Sequence, residues 1–420
     1  MKNNKIQMPD GWEEVELQNI LKYEQPYNYS IESTEYNKTG IPVLTAGKSF
    51  ILGYTNEKEG IYNNLPVIIF DDFTTDSKFV DFPFKVKSSA MKFLQEKQNE
   101  KISLKLLYEI INQLKYSSLG GDHKRRWISE FSKKKVLLPK SLAEQTQIAK
   151  ILSTVDKAIE QTGALIAKYE KIKTSLMQDL LTKGIDENGK IRSEETHEFK
   201  DSPLGMIPVE WEVVRFGDYI KLRHGYQFRN YDFTEFGIPV IKIGEISKDN
   251  KLVLENCTFI EKSRLGNFKN IVIANGDVLM ALTGATLGKS CIVRNINGPL
   301  LQNYRVGCFE PNEEFIRIFL YYMLTYNKVI NQVFNRTNEG AQGNIGKTDF
   351  ENIWIYKPSR DEQLMICEKT EKISNYIEEL KTEKQKCSSI KKGLMQDLLT
   401  GKVRVNKLIK NFNQTESRRD

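Results

Sequence analysis

The sequence predicts an α+β protein in which two similar mixed α/β domains are separated by a long antiparallel two-helix coiled coil and related by a pseudo-two-fold internal repeat. Two observations support this prediction. Short blocks recur in the same order in both halves of the 420-residue chain, and each half ends in a long segment with a coiled-coil pattern. The predicted segments are a first domain over 1–140, a helix over 141–183, a linker over 184–207, a second domain over 208–358, a helix over 359–400 and a polar tail over 401–420.

The repeat begins at the start of each domain. The block Pro9-Asp-Gly-Trp12-Glu13 returns as Pro208-Val-Glu-Trp211-Glu212, and Gly40-Ile-Pro-Val43 returns as Gly237-Ile-Pro-Val240. The offset between the halves grows from 197 residues at Gly-Ile-Pro-Val to 218 residues at the end of the long helical segments. The second domain therefore contains the extra residues.

Inside the domains, hydrophobic runs predict both strands and helices. The apolar stretches 65–70 and 277–282 are typical of buried strands, and the runs near 102–115 and 313–331 are typical of helices. Each domain is therefore mixed in secondary structure.

The two long helices have start and stop signals at matching places. Ser141 with Glu144, and Ser359 with Glu362, fit the S-x-x-E capping box, in which the serine caps the helix and the glutamate returns to the serine N–H. A glycine follows the end of each helix, where a left-handed residue is usually needed. These signals predict the helix boundaries.

Between those signals, apolar residues follow a four–three spacing over about five heptads, which favours a coiled coil. Helix ends with identical sequences, Leu-Met-Gln-Asp-Leu-Leu-Thr, occupy 176–182 and 394–400. The residues expected to form the spacer helices and to meet partners are Ile148, Leu152, Val155, Ile159, Leu176, Leu180, Ile366, Ile373, Ile377, Leu380, Leu394 and Leu398.

Composition excludes several classes of protein. The sequence has no run of 18 apolar residues and no apolar segment near its start, so neither a membrane partner nor a secretory signal is expected. Its five cysteines form no C-x-x-C pair, which indicates neither a disulfide framework nor a zinc site. We therefore expect a cytoplasmic protein. The formal charge of +7 is compatible with nucleic-acid binding but is weak support alone.

Catalytic motifs are not found. The run 283–290 looks like a phosphate-binding loop, but the motif G-x-x-x-x-G-K-S requires glycine where Thr283 stands. Asp71 and Asp72 are a weak signal for a metal nuclease because no E-x-K follows them on a strand. No N-P-P-[FY] string is present to hold an adenine for methylation. The sequence therefore predicts no catalytic and no metal-binding residue.

Polar, basic and aromatic stretches occupy matching places in both domains. Arginine, asparagine and glutamine form bidentate hydrogen bonds with base edges, and lysine neutralises phosphates. If the helices pair antiparallel, a pseudo-two-fold axis would relate the domains, as the local two-fold axes of DNA relate half-sites. The candidate DNA-binding residues are Lys124, Arg125, Arg126, Arg223, Gln227, Arg229, Arg336, Gln342 and Asn344.

Taken together, these blocks resemble the specificity subunit of type I restriction–modification enzymes. The resemblance covers nearly the whole chain. It is carried by the Pro-x-x-Trp-Glu starts, by Glu-Gln at 144–145 and 362–363, by the duplicated helix ends, by the linker 199–205 and by the segment 276–289.

The resemblance implies two target-recognition domains, each reading one half of an asymmetric bipartite site in double-stranded DNA. It implies a non-catalytic chain on which two methyltransferase subunits and restriction subunits assemble. It also implies no cofactor in this chain, because the partner subunits would bind S-adenosylmethionine, ATP and Mg. Two alternatives remain open at this point: a single-chain DNA methylase or nuclease, and a coiled-coil adaptor that binds only protein.

Overall fold

The computed structural model describes residues 8–46, 49–97, 101–114, 125–337, 345–406 and 408–409. The chain divides into two compact units, Met1–Ala164 with Lys381–Asp420, and Leu165–Leu380. Each unit contains one mixed domain and a stretch of both long helices. Among the described residues, no helix is long and apolar enough to cross a membrane.

The first unit contains three groups of paired strands. Its strands are β1 (Trp12–Glu16), β2 (Leu21–Glu24), β3 (Ile41–Leu44), β4 (Ile51–Thr55), β5 (Val67–Asp71), β6 (Ser77–Val80), β7 (Lys85–Val86), β8 (Met91–Glu96) and β9 (Lys135–Pro139). Its short helices are α1 (Leu17–Ile20), α2 (Leu104–Ile111) and α3 (Arg126–Ser129). A four-stranded antiparallel sheet has the order β2, β8, β5, β6; a three-stranded sheet has the order β4, β3, β7; and β1 pairs with β9.

Among the described residues, the second unit repeats this topology with three strands more. Its strands are β10 (Phe199–Lys200), β11 (Ile207–Pro208), β12 (Glu212–Arg215), β13 (Ile220–His224), β14 (Ile238–Ile241), β15 (Thr258–Ile260), β16 (Val272–Ile273), β17 (Val278–Ala281), β18 (Ser290–Ile292), β19 (Leu300–Gln302), β20 (Val306–Pro311) and β21 (Trp354–Lys357). The sheet β13, β20, β17, β18 matches the first four-stranded sheet, the sheet β15, β14, β19, β16 matches the three-stranded one, and β12 pairs with β21 as β1 pairs with β9. The additional strands are β16 and the paired β10 and β11.

The repeated Gly-Ile-Pro-Val block has a geometric cause. β3 and β14 each begin directly after its glycine, and both glycines have a positive φ, +126° at Gly40 and +149° at Gly237. A Cβ at these positions would lie 2.5 Å from the carbonyl oxygen of Thr55 and 2.0 Å from that of Ile260. Only glycine fits at the start of this strand, so both copies contain it.

Much of the extra length of the second domain lies between β14 and β17, which begin at residues 238 and 278, whereas the equivalent strands β3 and β5 begin at residues 41 and 67. The single helix predicted near 313–331 is two helices, α6 (Arg317–Thr325) and α7 (Asn327–Thr337), because Tyr326 between them is extended. α5 (Phe216–Tyr219) follows β12 as α1 follows β1, and α8 (Lys347–Glu351) precedes β21 as α3 precedes β9, whereas β16 has no counterpart among the described residues of the first unit.

The long helices are α4 (Leu142–Leu180) and α9 (Arg360–Leu398), each of 39 residues. In the first unit, Asp156 of α4 forms an ion pair of 2.7 Å with Lys391 of α9. In the second unit, the rings of Tyr169 and Tyr376 lie 4.7 Å apart. Partners in the first unit are 144 with 404 and 156 with 391, and partners in the second are 169 with 376 and 185 with 362. Within each unit the numbers rise on one side as they fall on the other, so the helices pair antiparallel in each, and the coiled-coil prediction is confirmed.

The predicted spacer residues divide between two kinds of contact. Ile377 and Leu380 pack with Ile166 and Tyr169 at the helix–helix contact of the second unit. Most of the others join the domain cores: Ile148, Leu152, Leu394 and Leu398 in the first unit, and Leu176, Leu180 and Ile366 in the second. Val155, Ile159 and Ile373 are half-buried.

One half of the capping-box prediction is wrong. The serines do cap the helices, since Ser141 Oγ accepts from the N–H of Glu144 at 3.4 Å and Ser359 Oγ from that of Glu362 at 3.2 Å. The glutamates, however, do not return to the serines. Glu144 accepts two hydrogen bonds from Arg404, at 2.7 and 2.8 Å. A guanidinium forms charge-assisted bonds that a backbone N–H does not match.

The glutamate of the second unit is engaged in the same way. Glu362 pairs with Arg192 and accepts from the indole N–H of Trp211 at 2.9 Å and from the N–H of Ile185 at 2.8 Å. We call Trp12, Glu144, Gln145, Gly401 and Arg404 the first helix junction. The second helix junction contains Trp211, Glu362, Gln363, Gly184 and Arg192.

Glutamine and glycine complete each junction. Gln145 accepts from the N–H of Ser103 at 2.8 Å, and Gln363 accepts from the N–H of Ile316 at 2.9 Å, so each links its long helix to the start of the domain helix. Gly184 and Gly401 have φ of +64° and +69° just past the helix ends, as predicted. The repeated residues therefore attach each domain to the end of the other domain's helix.

Candidate nucleic-acid interface

In the first unit, sheet topology gathers several loops at one edge. Glu24, at the end of β2, pairs with Phe93 in β8, and Asp71, at the end of β5, pairs with Met91, where β8 begins. β6 begins at this same edge, because Phe70 pairs with Ser77. We call the segments 25–40, 72–76, 87–90 and 125–127 the first loop edge.

Two predicted DNA-binding residues lie on this edge. The N–H of Trp127 donates to Asp72 Oδ1 at 2.9 Å, which attaches the segment 125–127 to the loop after β5. Asp72 also forms a buried ion pair of 2.9 Å with Lys92. Arg125 is exposed and Arg126 is half-buried. These two arginines therefore lie beside a loop that is more than fifty residues away in sequence.

The second unit has an equivalent edge. His224 at the end of β13 pairs with Gly307 in β20, and Ala281 at the end of β17 pairs with Val306. The N–H of Ile345 donates to the carbonyl of Leu282 at 2.9 Å, as Trp127 donates to Asp72 in the first unit. We call the segments 225–237, 282–289, 303–305 and 345–346 the second loop edge.

Gln227 and Arg229 are exposed on this second loop edge. Their loop is fixed at its start, because the N–H of Tyr226 donates to Gln302 and its carbonyl accepts from Tyr304, both at 3.0 Å. At its far side, the N–H of Arg229 and then the guanidinium of Arg264 hold the pKa of Asp232 below its usual range. The loop therefore presents polar side chains from a backbone bonded at both ends.

Arg223 lies in a different environment from its neighbours. Its guanidinium pairs with Glu310 at 2.7 Å and with Asp277 at 3.5 Å, and donates to the carbonyl of Asn270 at 3.1 Å. These contacts engage the side chain within the domain. The geometry favours a structural role for Arg223 over base reading.

The remaining candidates cannot be placed in the same detail. Lys124, Gln342 and Asn344 lie outside the described residues. Arg336 belongs to α7, and its side chain is not described. Lys124 and Asn344 directly adjoin segments of the loop edges in sequence.

Sequence reasoning missed part of both edges. Arg305 is exposed and donates to the hydroxyl of Tyr304 at 2.7 Å. In the first unit, Lys87 lies 5.7 Å from the ring centre of Tyr36. The run Gln-Asn-Tyr-Arg at 302–305 is a cluster of base-reading residue types directly after a short apolar stretch. That signal was present in the sequence.

The buried cysteines do not form a reactive site. Burial raises the pKa of the Cys291 and Cys308 thiols to about 12. Both thiols therefore stay protonated near neutral pH, and a thiolate nucleophile is not favoured at either position. The described residues contain no group of three or more histidine, cysteine, aspartate or glutamate side chains placed to hold a metal ion.

Comparison with known proteins agrees with this architecture. The chain is 32% identical to the EcoR124I/EcoR124II specificity subunit of Escherichia coli, covering 86% of this chain and 87% of that protein. It is 30% identical to the MjaVIII specificity subunit of Methanocaldococcus jannaschii, covering 96% of this chain and 95% of that protein.

Solved structures show the same fold. The S subunit of a type I restriction–modification system from M. genitalium matches with a TM-score of 0.63 and 15% identity, over 95% of this chain and 98% of that one. The family model described as "Type I restriction modification DNA specificity domain" matches twice, at residues 9–171 and 208–391. With both halves matched, the chain belongs to the family of type I restriction–modification specificity subunits.

Proposed function

We propose that this chain is the sequence-recognition subunit of a type I restriction–modification complex, and that each unit reads one half of a bipartite DNA site. The observation that carries the proposal is that the specificity domain occurs twice and that each unit has an equivalent loop edge. Each edge presents exposed arginine or glutamine next to aromatic side chains. Such side chains read bases, whereas nearby cations neutralise phosphates.

The two half-sites should differ in sequence, because the two edges differ in chemistry. The second edge presents Gln227, Arg229 and Arg305, which favour adenine and guanine contacts. The first presents Arg125 and Lys87 together with the exposed Glu32 and Glu35, whereas the second contains one exposed glutamate, Glu235. Carboxylates accept from cytosine amino groups and repel phosphates. An asymmetric site follows from this difference.

We infer that the chain supplies recognition and no catalytic group. Two methyltransferase subunits and the restriction subunits would assemble on it, and they would bind S-adenosylmethionine, ATP and Mg. Family membership supports this division of roles. The absence of a methylase or P-loop motif from the sequence agrees with it.

Methylation of the host genome tests the proposal. Deleting the gene is expected to abolish methylation at one asymmetric, bipartite motif, and restoring the gene is expected to restore it. If methylation is unchanged although active methyltransferase subunits are present, or if the lost motif is a single uninterrupted sequence, the proposal fails. A second readout is DNA affinity, which should fall with rising salt because phosphate contacts release counterions. Affinity independent of salt would instead favour a protein-only adaptor.

A further inference from the structure

Tyr231, on the second loop edge, is the most exposed large hydrophobic side chain that the structure describes. Its exposed fraction is 86%, whereas Tyr226 of the same loop is 48% exposed and Phe228 only 7%. Apolar surface left in water is unfavourable, and on a face that binds a partner such a ring indicates a contact that the partner completes.

The other aromatic residues near Tyr231 pack inward. The centre of the Phe228 ring lies 5.1 Å from that of Phe268 and 5.0 Å from that of Tyr226. The ring of Phe233 lies 6.3 Å from Phe228 and packs against the same apolar cluster. Tyr231 is therefore the aromatic residue of this loop that the domain core does not use.

A bonded turn fixes the position of Tyr231. The residue lies in the middle of the one-turn 3₁₀ helix Asn230–Asp232. The carboxylate of Asp232 closes this turn, because one oxygen accepts from the N–H of Arg229 at 2.8 Å and the other pairs with Arg264 at 2.8 Å. Asp232 is itself buried. The backbone therefore holds the ring outward, and the turn loses little freedom when the ring binds.

The neighbours of Tyr231 indicate a nucleic-acid partner. Gln227, Arg229 and Asn230 are all exposed, and these residue types form hydrogen bonds with base edges. The segment 225–231 contains no acidic residue, so this part of the loop does not repel phosphates.

The first unit has a similar feature in the loop that follows β2. Tyr27 is 63% exposed and lies on the one-turn 3₁₀ helix Tyr27–Tyr29, in which the N–H of Tyr29 donates to the carbonyl of Pro26 at 2.9 Å. Tyr231 lies in the loop that follows β13, the strand equivalent to β2. An exposed tyrosine on a one-turn helix in the same loop of both units favours a role that the two domains share.

On the basis of the proposed function, we propose that Tyr231 contacts a base of the half-site read by the second unit and buries its ring against that base. DNA offers a ring two apolar surfaces, the faces of the bases and the C5-methyl group of thymine, whereas its backbone is charged. Gln227 and Arg229 supply hydrogen bonds beside the ring. Tyr231 adds an apolar contact to a set of readers that is otherwise polar.

The test uses the complex of the full chain with its methyltransferase subunits, bound to duplexes that carry the methylated site. In the half-site that is retained when the first domain is exchanged, 5-iodouracil or 5-iodocytosine replaces each pyrimidine in turn. On irradiation, these bases cross-link to an aromatic ring that touches them. The wild-type complex is expected to cross-link at a defined position, and peptide mapping is expected to place the adduct on Tyr231.

Substitution of Tyr231 provides the second readout. Tyr231→Ala should lose the cross-link and bind the site about 5- to 150-fold more weakly, as expected for the loss of one contact between an aromatic ring and a base. Tyr231→Phe should retain the cross-link and most of the affinity, because the ring makes the contact. If Tyr231→Phe weakens binding as much as Tyr231→Ala, the hydroxyl group makes the contact and the inference is overturned.

Three controls separate base contact from other effects. Tyr231→Ala should melt at the wild-type temperature, because a ring left in water contributes little packing. Tyr23 is an exposed tyrosine within β2, so Tyr23→Ala should leave cross-linking and affinity unchanged. The salt dependence of binding should be the same for Tyr231→Ala and wild type, because a phenol ring carries no positive charge to neutralise a phosphate.

The outcomes are distinguishable from failure of the proposed function. If the wild-type complex does not bind the methylated site, the proposed function fails and the inference fails with it. If the complex binds but no cross-link maps to Tyr231, recognition stands and the base contact is overturned. If Tyr231→Ala prevents the methyltransferase subunits from assembling in the absence of DNA, the ring contacts protein, and the inference is overturned as well.

Discussion

Arg223 and Arg229 lie six residues apart, but their side chains have different surroundings. The guanidinium of Arg223 is engaged by Glu310 and Asp277, whereas Arg229 is exposed on the second loop edge. Residue type alone made both of them candidates for base reading. Only the pairing of β13 with β20 shows that Arg223 faces internal carboxylates. Orientation of this kind depends on contacts that are distant in sequence.

Substituting these two arginines separates the two roles. Arg223→Ala leaves the buried Asp277 with one cationic partner fewer, and is expected to cost about 1–3 kcal/mol of stability. Arg229→Ala is expected to leave the melting temperature unchanged and to weaken DNA binding by about 1–3 kcal/mol, if it reads a base. Thermal unfolding and a binding titration of both variants check this. If Arg223→Ala keeps wild-type stability but loses sequence specificity, Arg223 instead reads a base.

Arg125 provides the corresponding test on the first loop edge. Arg125→Ala is expected to weaken binding by about 1–3 kcal/mol and to relax one position of the first half-site. Lys135→Ala is a suitable control, because Lys135 is an exposed basic residue of the same unit and pairs with Glu14 on β1. Competition binding against duplexes with single base changes measures the effect. Wild-type affinity and specificity would remove Arg125 from the recognition surface.

Glu57 makes the first loop edge sensitive to acid. Its carboxylate accepts from the N–H groups of Glu32 and Ser33, and the hydrogen bond from Lys85 holds the pKa of Glu57 below its usual range. A lowered folded-state pKa gives stability that is present above the unfolded value of about 4.3 and is lost as pH falls through the folded value. Lys85 is buried, so the pair is poorly screened.

Replacing the carboxylate should flatten this acid response. Glu57→Gln is expected to reduce stability at neutral pH and to show a smaller further loss between about pH 5 and pH 3 than wild type. Glu59→Gln is the matched control, since Glu59 is exposed and contributes only its carbonyl to Lys85. Melting temperatures across this range report the difference. If the melting temperature of Glu57→Gln falls as much as that of wild type over this pH range, the role given to Glu57 is contradicted.

At the scale of the elements, each helix junction fixes the start of one long helix against the end of the other. The sequence predicted both helices and their caps, because capping serines, terminal glycines and heptads are local signals. It assigned the glutamates wrongly, because Arg404 and Arg192 approach from segments far away in the chain. A capping box is predicted from local sequence alone, and here a guanidinium from a distant segment binds the glutamate in place of the serine N–H.

Removing one partner of the buried pair in the second junction should be costly. Glu362→Ala leaves Arg192 buried without its carboxylate, and is expected to cost about 3–5 kcal/mol of stability. Glu368→Ala, an exposed substitution on the same helix, should change stability by less than about 0.5 kcal/mol. Thermal unfolding of the full chain measures both.

The double variant distinguishes a charge effect from lost packing. Combining Arg192→Met with Glu362→Met should be less damaging than Glu362→Ala, since no uncompensated charge is left buried. If the double variant is as unstable as the single one, the junction acts through packing and not through the ion pair.

At the scale of the whole molecule, the repeat, the two domains and the helix pair were all readable from the sequence. The sheet orders were not, because strand pairing joins segments without a local signal. The loop edges depend on that pairing. Trp127 bonds to Asp72, and Tyr304 bonds to Tyr226, only because the sheets bring these segments together. Candidate residues were therefore predicted as separate stretches, and their grouping into one surface per unit came from the structure.

The central claim is that each unit reads its own half-site, and a domain exchange tests it most directly. Residues 1–140 are replaced by the first domain of a related specificity subunit, and the methylation map of the host genome is compared with that of the wild type. The account predicts that one half of the bipartite motif changes to that of the donor, while the other half is retained. A map in which both halves change, or in which neither does, would contradict it.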